Sequence, residues 1–117
     1  MGNSEYRIDC TGNCVAGDEI YFTRATFTGS YRNAQFAGYE AIEAKIVGDS
    51  YSIATGYHWF DLIRLDTGKK FRIRGKNLYA NGVARKPWAN EGQRAEAIDS
   101  KRDRSMSNKQ YRQLATI

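Results

Sequence analysis

From Gly17 onward the chain reads as short apolar and β-branched runs set off by glycine, asparagine and aspartate, which is the punctuation of strands. The run Glu19–Thr28, rich in aromatic and β-branched residues, predicts a first main strand, with a bulge near Thr23 and Arg24 where the alternation slips. Gly29–Gly38 mixes turn formers with Tyr31 and Phe36 and predicts an exposed loop. In Glu40–Val47, Ile42, Ala44 and Ile46 alternate with Glu43 and Lys45, the period-two pattern of a half-buried strand. Gly48-Asp49-Ser50 predicts a turn. The chain re-enters a strand at His58–Leu65, with Phe60 and Leu62 on one face and Trp59, Ile63 and Leu65 on the other. Asp66-Thr67-Gly68 makes a tight hairpin into Lys69–Arg74. Gly75–Ala80 is a link or single helical turn, and Asn81-Gly82 turns the chain into Val83–Lys86.

From Trp88 the residues become Ala, Glu, Arg and Lys with no β-branched run, which predicts a helix beginning near Trp88, with Pro87 at or just before its first turn. Trp88, Ala95 and Ile98 give it a thin apolar stripe, so it is expected on the surface. The division that results is an N-terminal extension (1–16), five strands (17–86), a C-terminal helix (87–104) and a basic tail (105–117). The expected core is Ile42, Ile46, Phe60, Leu62, Phe71 and Ile73.

The 117 residues fit one domain, and 41% hydrophobic with 26% charged residues is a folding composition. No apolar run reaches the roughly 20 residues of a membrane helix, and the N-terminus lacks a signal-peptide pattern, so a soluble cytoplasmic protein without a membrane partner is expected. Of the net charge of +5, residues 1–84 supply +1 (10 basic, 9 acidic) and residues 85–117 supply +4 (8 basic, 4 acidic). The C-terminal third is therefore the basic third, suited to attraction toward polyanions.

The order of these elements, with Gly17-Asp18 opening the first strand and Asp66-Thr67-Gly68 closing a hairpin, resembles the KOW and Tudor-like members of the small SH3-like β-barrels. The resemblance implies a mainly β, five-stranded SH3-like barrel followed by the helix. The phrases Asp49-Ser50-Tyr51, Arg74-Gly75-Lys76-Asn77-Leu78-Tyr79 and Lys86-Pro87-Trp88-Ala89-Asn90-Glu91 are also similar to those of small proteins carried by phages and plasmids. That likeness spans about residues 17–100, brings no known activity with it, and implies an origin in a mobile element within a bacterial host.

The strongest chemical signal is Lys69-Lys70-Phe71-Arg72-Ile73-Arg74-Gly75-Lys76. Alternation turns Phe71 and Ile73 inward and lines Lys70, Arg72 and Arg74 along the opposite face, with Lys76 extending the row. Same-face residues stand roughly 6.6–7 Å apart, close to the spacing of successive phosphates on an extended strand, so the row suits a nucleic-acid backbone. Asp61, Asp66, Glu40 and Glu43 are the acids available to offset it. Among fifteen aromatics, Tyr31, Tyr51, Tyr57 and Tyr79 fall in turns or links and are expected to be exposed. Tyr31, Tyr51 and Tyr79, with Arg32, join the basic row as candidate nucleic-acid-binding residues, because unpaired bases stack on exposed rings.

Two cysteines and one histidine leave a mononuclear zinc site one ligand short, and Cys10 and Cys14 read as two small thiols buried in a turn; no metal and no cofactor are expected. His58 has no nucleophile or second member of a dyad marked by spacing, and phosphate loops, nucleophile elbows and paired carboxylates are missing, so no catalytic residue is assigned. The reading expected is a non-enzymatic module binding DNA or RNA. The alternative is an anti-defence inhibitor that grips a bacterial host or defence protein through the Gly29–Gly38 loop and strand edges, or sequesters a nucleotide signal.

Overall fold

The computed structural model describes residues 5–101. Its elements run β1 (Ile8–Asp9), β2 (Glu19–Thr28), β3 (Gln35–Tyr51), β4 (His58–Arg64), β5 (Lys70–Arg74), α1 (Gly75–Tyr79) and β6 (Val83–Arg85), and residues 91–101 are helical. The six strands make one antiparallel sheet in the order β1-β6-β2-β3-β4-β5. Two expectations are corrected here. Residues 17–86 hold five strands, but β1 from the N-terminal stretch makes the sheet six-stranded among the described residues, and β1 and β5 remain edges, so it is not a closed five-stranded barrel. The reason is local: after β5 the chain crosses to the far side of the sheet through α1, which packs on β2, β4 and β5 and buries Leu78, so a helical turn lies there in place of a closing ladder. No helix among the described residues is long and apolar enough to cross a membrane.

The core is formed by Ile20 and Phe22 of β2, Ile42, Ala44 and Ile46 of β3, Phe60 and Leu62 of β4, Ile73, Leu78, Val83, and the thiols Cys10 and Cys14. Five of the six expected core residues are buried. Phe71 is the exception: it faces Leu62 on the inner side, but on an edge strand with no further neighbour, so its ring is half-buried beneath the Arg24 guanidinium, 5.6 Å from the ring centre. Of the stretch read as an N-terminal extension, residues 5–16 belong to the fold, and 1–4 lie outside the described residues. Its β1 pairs with β6 through Ile8↔Arg85 and Asp9↔Ala84, and Tyr6, Cys10, Cys14 and Val15 are buried.

Strand β3 is longer than alternation suggested. It begins at Gln35, within the expected loop, because Phe36 pairs with Phe27, and it runs through Gly48-Asp49-Ser50, which pair with Asp61, Phe60 and Trp59. A bulge at Val47 absorbs the irregularity that had suggested a turn there. In β2 the register shifts between Thr26 and Phe27, not at Thr23 and Arg24. Beyond Arg24 and Glu40, β2 and β3 pair only with each other, forming a two-stranded arm that turns at residues 29–34. Gly29 adopts a φ of +95° at the turn, a conformation open to glycine. Arg64 anchors the base of the arm, donating to Glu40 at 2.8 Å and to Asp66 at 2.9 Å.

The C-terminal helix starts three residues later than expected, at residue 91. Asn90 caps it, its side-chain oxygen accepting the Gly92 N–H at 2.9 Å. Trp88 and Ala89 are left outside the helix, and the Trp88 indole N–H donates to Asp18 Oδ1 at 2.6 Å. Asp18 is fully buried and also accepts from Arg94 Nε at 2.8 Å, Arg94 Nη2 at 3.0 Å and the Val15 N–H at 3.0 Å. Arg94 reaches on to the Asn13 carbonyl at 2.6 Å, and Lys101 to the Cys14 carbonyl at 2.8 Å, so the helix is fastened to the Cys10–Cys14 turn. The tail expected at 105–117 lies outside the described residues.

Candidate nucleic-acid interface

The β4–β5 hairpin sets the register of the basic row. The turn after Arg64 pairs Ile63 with Lys70, Asp61 with Arg72 and Trp59 with Arg74, all on the face opposite Phe60, Leu62 and Ile73. Lys70 and Arg72 are exposed and Arg74 half-exposed; Lys76 follows in α1, also exposed. Arg72 donates through Nε to Asp61 Oδ1 at 2.8 Å, and this hydrogen bond raises the guanidinium pKa. Arg74 lies over the Tyr57 ring, 3.5 Å from its centre, and the Tyr57 ring meets Trp59 edge-on at 6.4 Å. Among the described residues no acidic side chain forms an ion pair with Lys70, Arg74 or Lys76.

Of the eight candidates, Lys70, Arg72 and Arg74 share one face, with Lys76 just beyond the end of the strand. Tyr31 and Arg32 stand at the tip of the arm, Tyr31 at 100% exposure, separated from the row by an arm of roughly 20 Å. Tyr51 is half-buried at the end of β3, opposite His58 on the inner side of the sheet. Tyr79 does not join the surface. Its ring packs edge-on to Phe60 at 5.8 Å, its hydroxyl accepts the Cys14 N–H at 3.1 Å, and burial pushes its pKa up.

Two aromatic residues, Tyr57 and Trp59, belong to the face in their place. The signal for Trp59 was available, since alternation puts it opposite Phe60. What alternation does not give is the cross-strand register that sets it beside Arg74. A second aromatic group lies along the arm, where Phe27 and Phe36 meet edge-on at 6.2 Å and Phe36 and Tyr39 at 5.3 Å, all three exposed.

The remaining chemistry-bearing groups are tied up structurally. Cys10, Cys14 and Asp18 gather their donor atoms within 4.8 Å. Both Asp18 oxygens are occupied, and the Arg94 guanidinium stands where a second cation would experience repulsion. The two sulfurs are 3.3 Å apart, and the Cys10 contact, followed by burial, drives the Cys14 pKa far above its ordinary value, which keeps this thiol protonated. His58 Nε2 lies 3.1 Å from Asp49 Oδ2, with its ring tilted against Phe60.

No protein-family model and no solved structure matches the chain. A rice protein (Oryza sativa subsp. japonica) named zinc finger CCCH domain-containing protein 62 is 25% identical over 124 residues, a match covering 95% of this chain and 18% of that protein. The chain thus spans about a fifth of the relative's length. A CCCH finger takes three cysteines and one histidine, and this chain has two and one, so the likeness does not carry such a finger.

Proposed function

We propose that the protein is a non-enzymatic nucleic-acid-binding module, working in the cytoplasm of a bacterial host that carries it on a phage or plasmid. The meander β2-β3-β4-β5 with β6 returning to β2 is read as an opened SH3-like arrangement, a type of scaffold that supports many partners, so the argument rests on the surface and not on the fold. The observation that carries the reading is the outer face of β5. Lys70, Arg72 and Arg74 follow one another at strand spacing, Lys76 comes next in α1, and Asp61 is their one ion-paired acid among the described residues. A row of four cations with one paired acid repels itself and is relieved by phosphates. A row of lysines and arginines also blunts an edge strand against pairing with other chains, a role that would coexist with binding.

The test is the double substitution Arg72→Glu, Arg74→Glu. Both side chains point away from the core, so the cooperative melt should persist, lowered modestly by loss of the Arg72–Asp61 pair, while affinity for labelled oligonucleotides collapses. The wild-type affinity should fall steeply between about 50 and 200 mM salt. Unchanged affinity in the variant would reduce the row to a solvated strand face. The alternative reading, an inhibitor of a bacterial host or defence protein, would then lead. It is favoured by the exposed Phe27, Phe36 and Tyr39 on the arm, an apolar surface of the kind buried in protein contacts.

A further inference from the structure

The face that carries the basic row carries stacking surfaces in register with it, and this narrows the class of nucleic acid. Tyr57 holds the Arg74 guanidinium at 3.5 Å over its ring, which fixes a long side chain that would otherwise sample many rotamers. The far side of that guanidinium and the partly exposed Trp59, paired across the ladder with Arg74, form a platform of two facets, because the Tyr57 and Trp59 rings meet at 66°. Arg72 and then Lys70 continue from the platform along a single line. Bases stack on aromatic rings and on guanidinium planes alike, but only where the base is unpaired. A duplex keeps its base faces inside and offers only base edges and phosphates, so it leaves exposed stacking surfaces unused.

We propose that this face takes single-stranded nucleic acid, with a base stacked on the Tyr57-backed Arg74 guanidinium or on the adjoining Trp59 facet and the following phosphates on Arg72 and Lys70. The inference rests on the nucleic-acid reading above and deepens it. The two-stranded arm, bearing Tyr31 and Arg32 at its tip, has the shape that a groove admits, so duplex binding through the arm is the competing outcome.

The experiment titrates the wild-type chain with three labelled probes of ~12 nucleotides, a length within the range such sites occupy. They are an oligothymidylate strand, a duplex of equal length, and a strand of the same phosphates with abasic spacers in place of the bases. The oligothymidylate should bind at least tenfold more tightly than the duplex. The abasic strand should lose roughly 5- to 150-fold for each stacked base. Binding should also quench tryptophan fluorescence, and Trp59→Phe should remove the quench, because Trp88 is packed against Gly17 and bonded to Asp18.

An abasic strand that binds as well as oligothymidylate, or a duplex that binds as tightly, overturns the single-strand platform while leaving the nucleic-acid reading in place. Loss of duplex binding on Tyr31→Ala would then assign the arm. Absence of binding to all three probes overturns both. The probe comparison uses the unmodified protein, so it holds even if a Trp59 variant folds poorly.

Discussion

Phe60 and Phe71 lie two rungs apart on the β4–β5 ladder and differ in how far a neighbour covers them. Phe60 lies in β4 with β3 on one side and β5 on the other, and its ring is fully buried under His58 and Tyr79. Phe71 lies on the edge strand, packs against the core from one side and keeps part of its ring in water. Truncating Phe60 to Ala should therefore cost about 3–5 kcal/mol, while Phe71→Ala should cost roughly half as much, because less apolar surface is lost and water can enter the gap. Urea unfolding of the two variants checks this, and an equal loss would mean that the β5 edge is covered in solution. Both residues were legible from the sequence as inward-facing. Their unequal burial was not, since strand order, which alternation does not encode, decides which strand is an edge.

At the scale of elements, the C-terminal helix is held by charge as much as by apolar contact. Glu91, in its first turn, accepts from Arg85 Nη2 at 2.8 Å and Nη1 at 3.1 Å and from the Trp88 N–H at 2.6 Å. The Arg85 fork, followed by the Trp88 amide, lowers its pKa from 4.5 to about 2. A carboxylate whose folded pKa is depressed contributes stability that is present above its unfolded value and is lost as the pH falls through the folded one. The contribution of Glu91 should thus be whole above about pH 5 and fade toward pH 2. Thermal melts of the wild type and Glu91→Gln should differ near neutral pH and converge as the pH approaches 2, and a constant gap across that range would show that the ion pair contributes nothing. The helix itself was visible in composition. Its start was misplaced because Pro87 and Trp88 resemble an opening, whereas the Trp88 ring is drawn to Asp18, 70 positions away in sequence, and Asn90 takes over the cap.

For the whole molecule, the N-terminal residues decide whether the sheet has a covered end. Tyr6, Cys10, Cys14 and Val15 are buried, β1 extends β6, and the Cys10–Cys14 turn receives Arg94 and Lys101 from the helix. Deleting residues 1–16 removes the buried Tyr6 and Val15, at about 1.5–3 kcal/mol for each large apolar side chain, together with two buried thiols, the β1 pairing and the helix's anchor, a loss that reaches the lower range of the stability of a domain this size. The truncated chain should lose its cooperative melt and near-ultraviolet circular dichroism, and a folded truncation would show residues 17–117 to be self-sufficient. By itself the sequence determined the class of structure, the positions of β2, β4, β5, α1 and β6, and the opposition of Lys70, Arg72 and Arg74 to Ile73. These follow from period-two alternation and turn chemistry, which act over a few residues. Only the tertiary structure decided that β1 joins the sheet, that the sheet stays open, that Tyr79 is withdrawn to bond Cys14, and that Tyr57 and Trp59 come to lie beside Arg74. Each of these depends on register and packing between segments far apart in the chain, where the energy comes from contacts that no local pattern records.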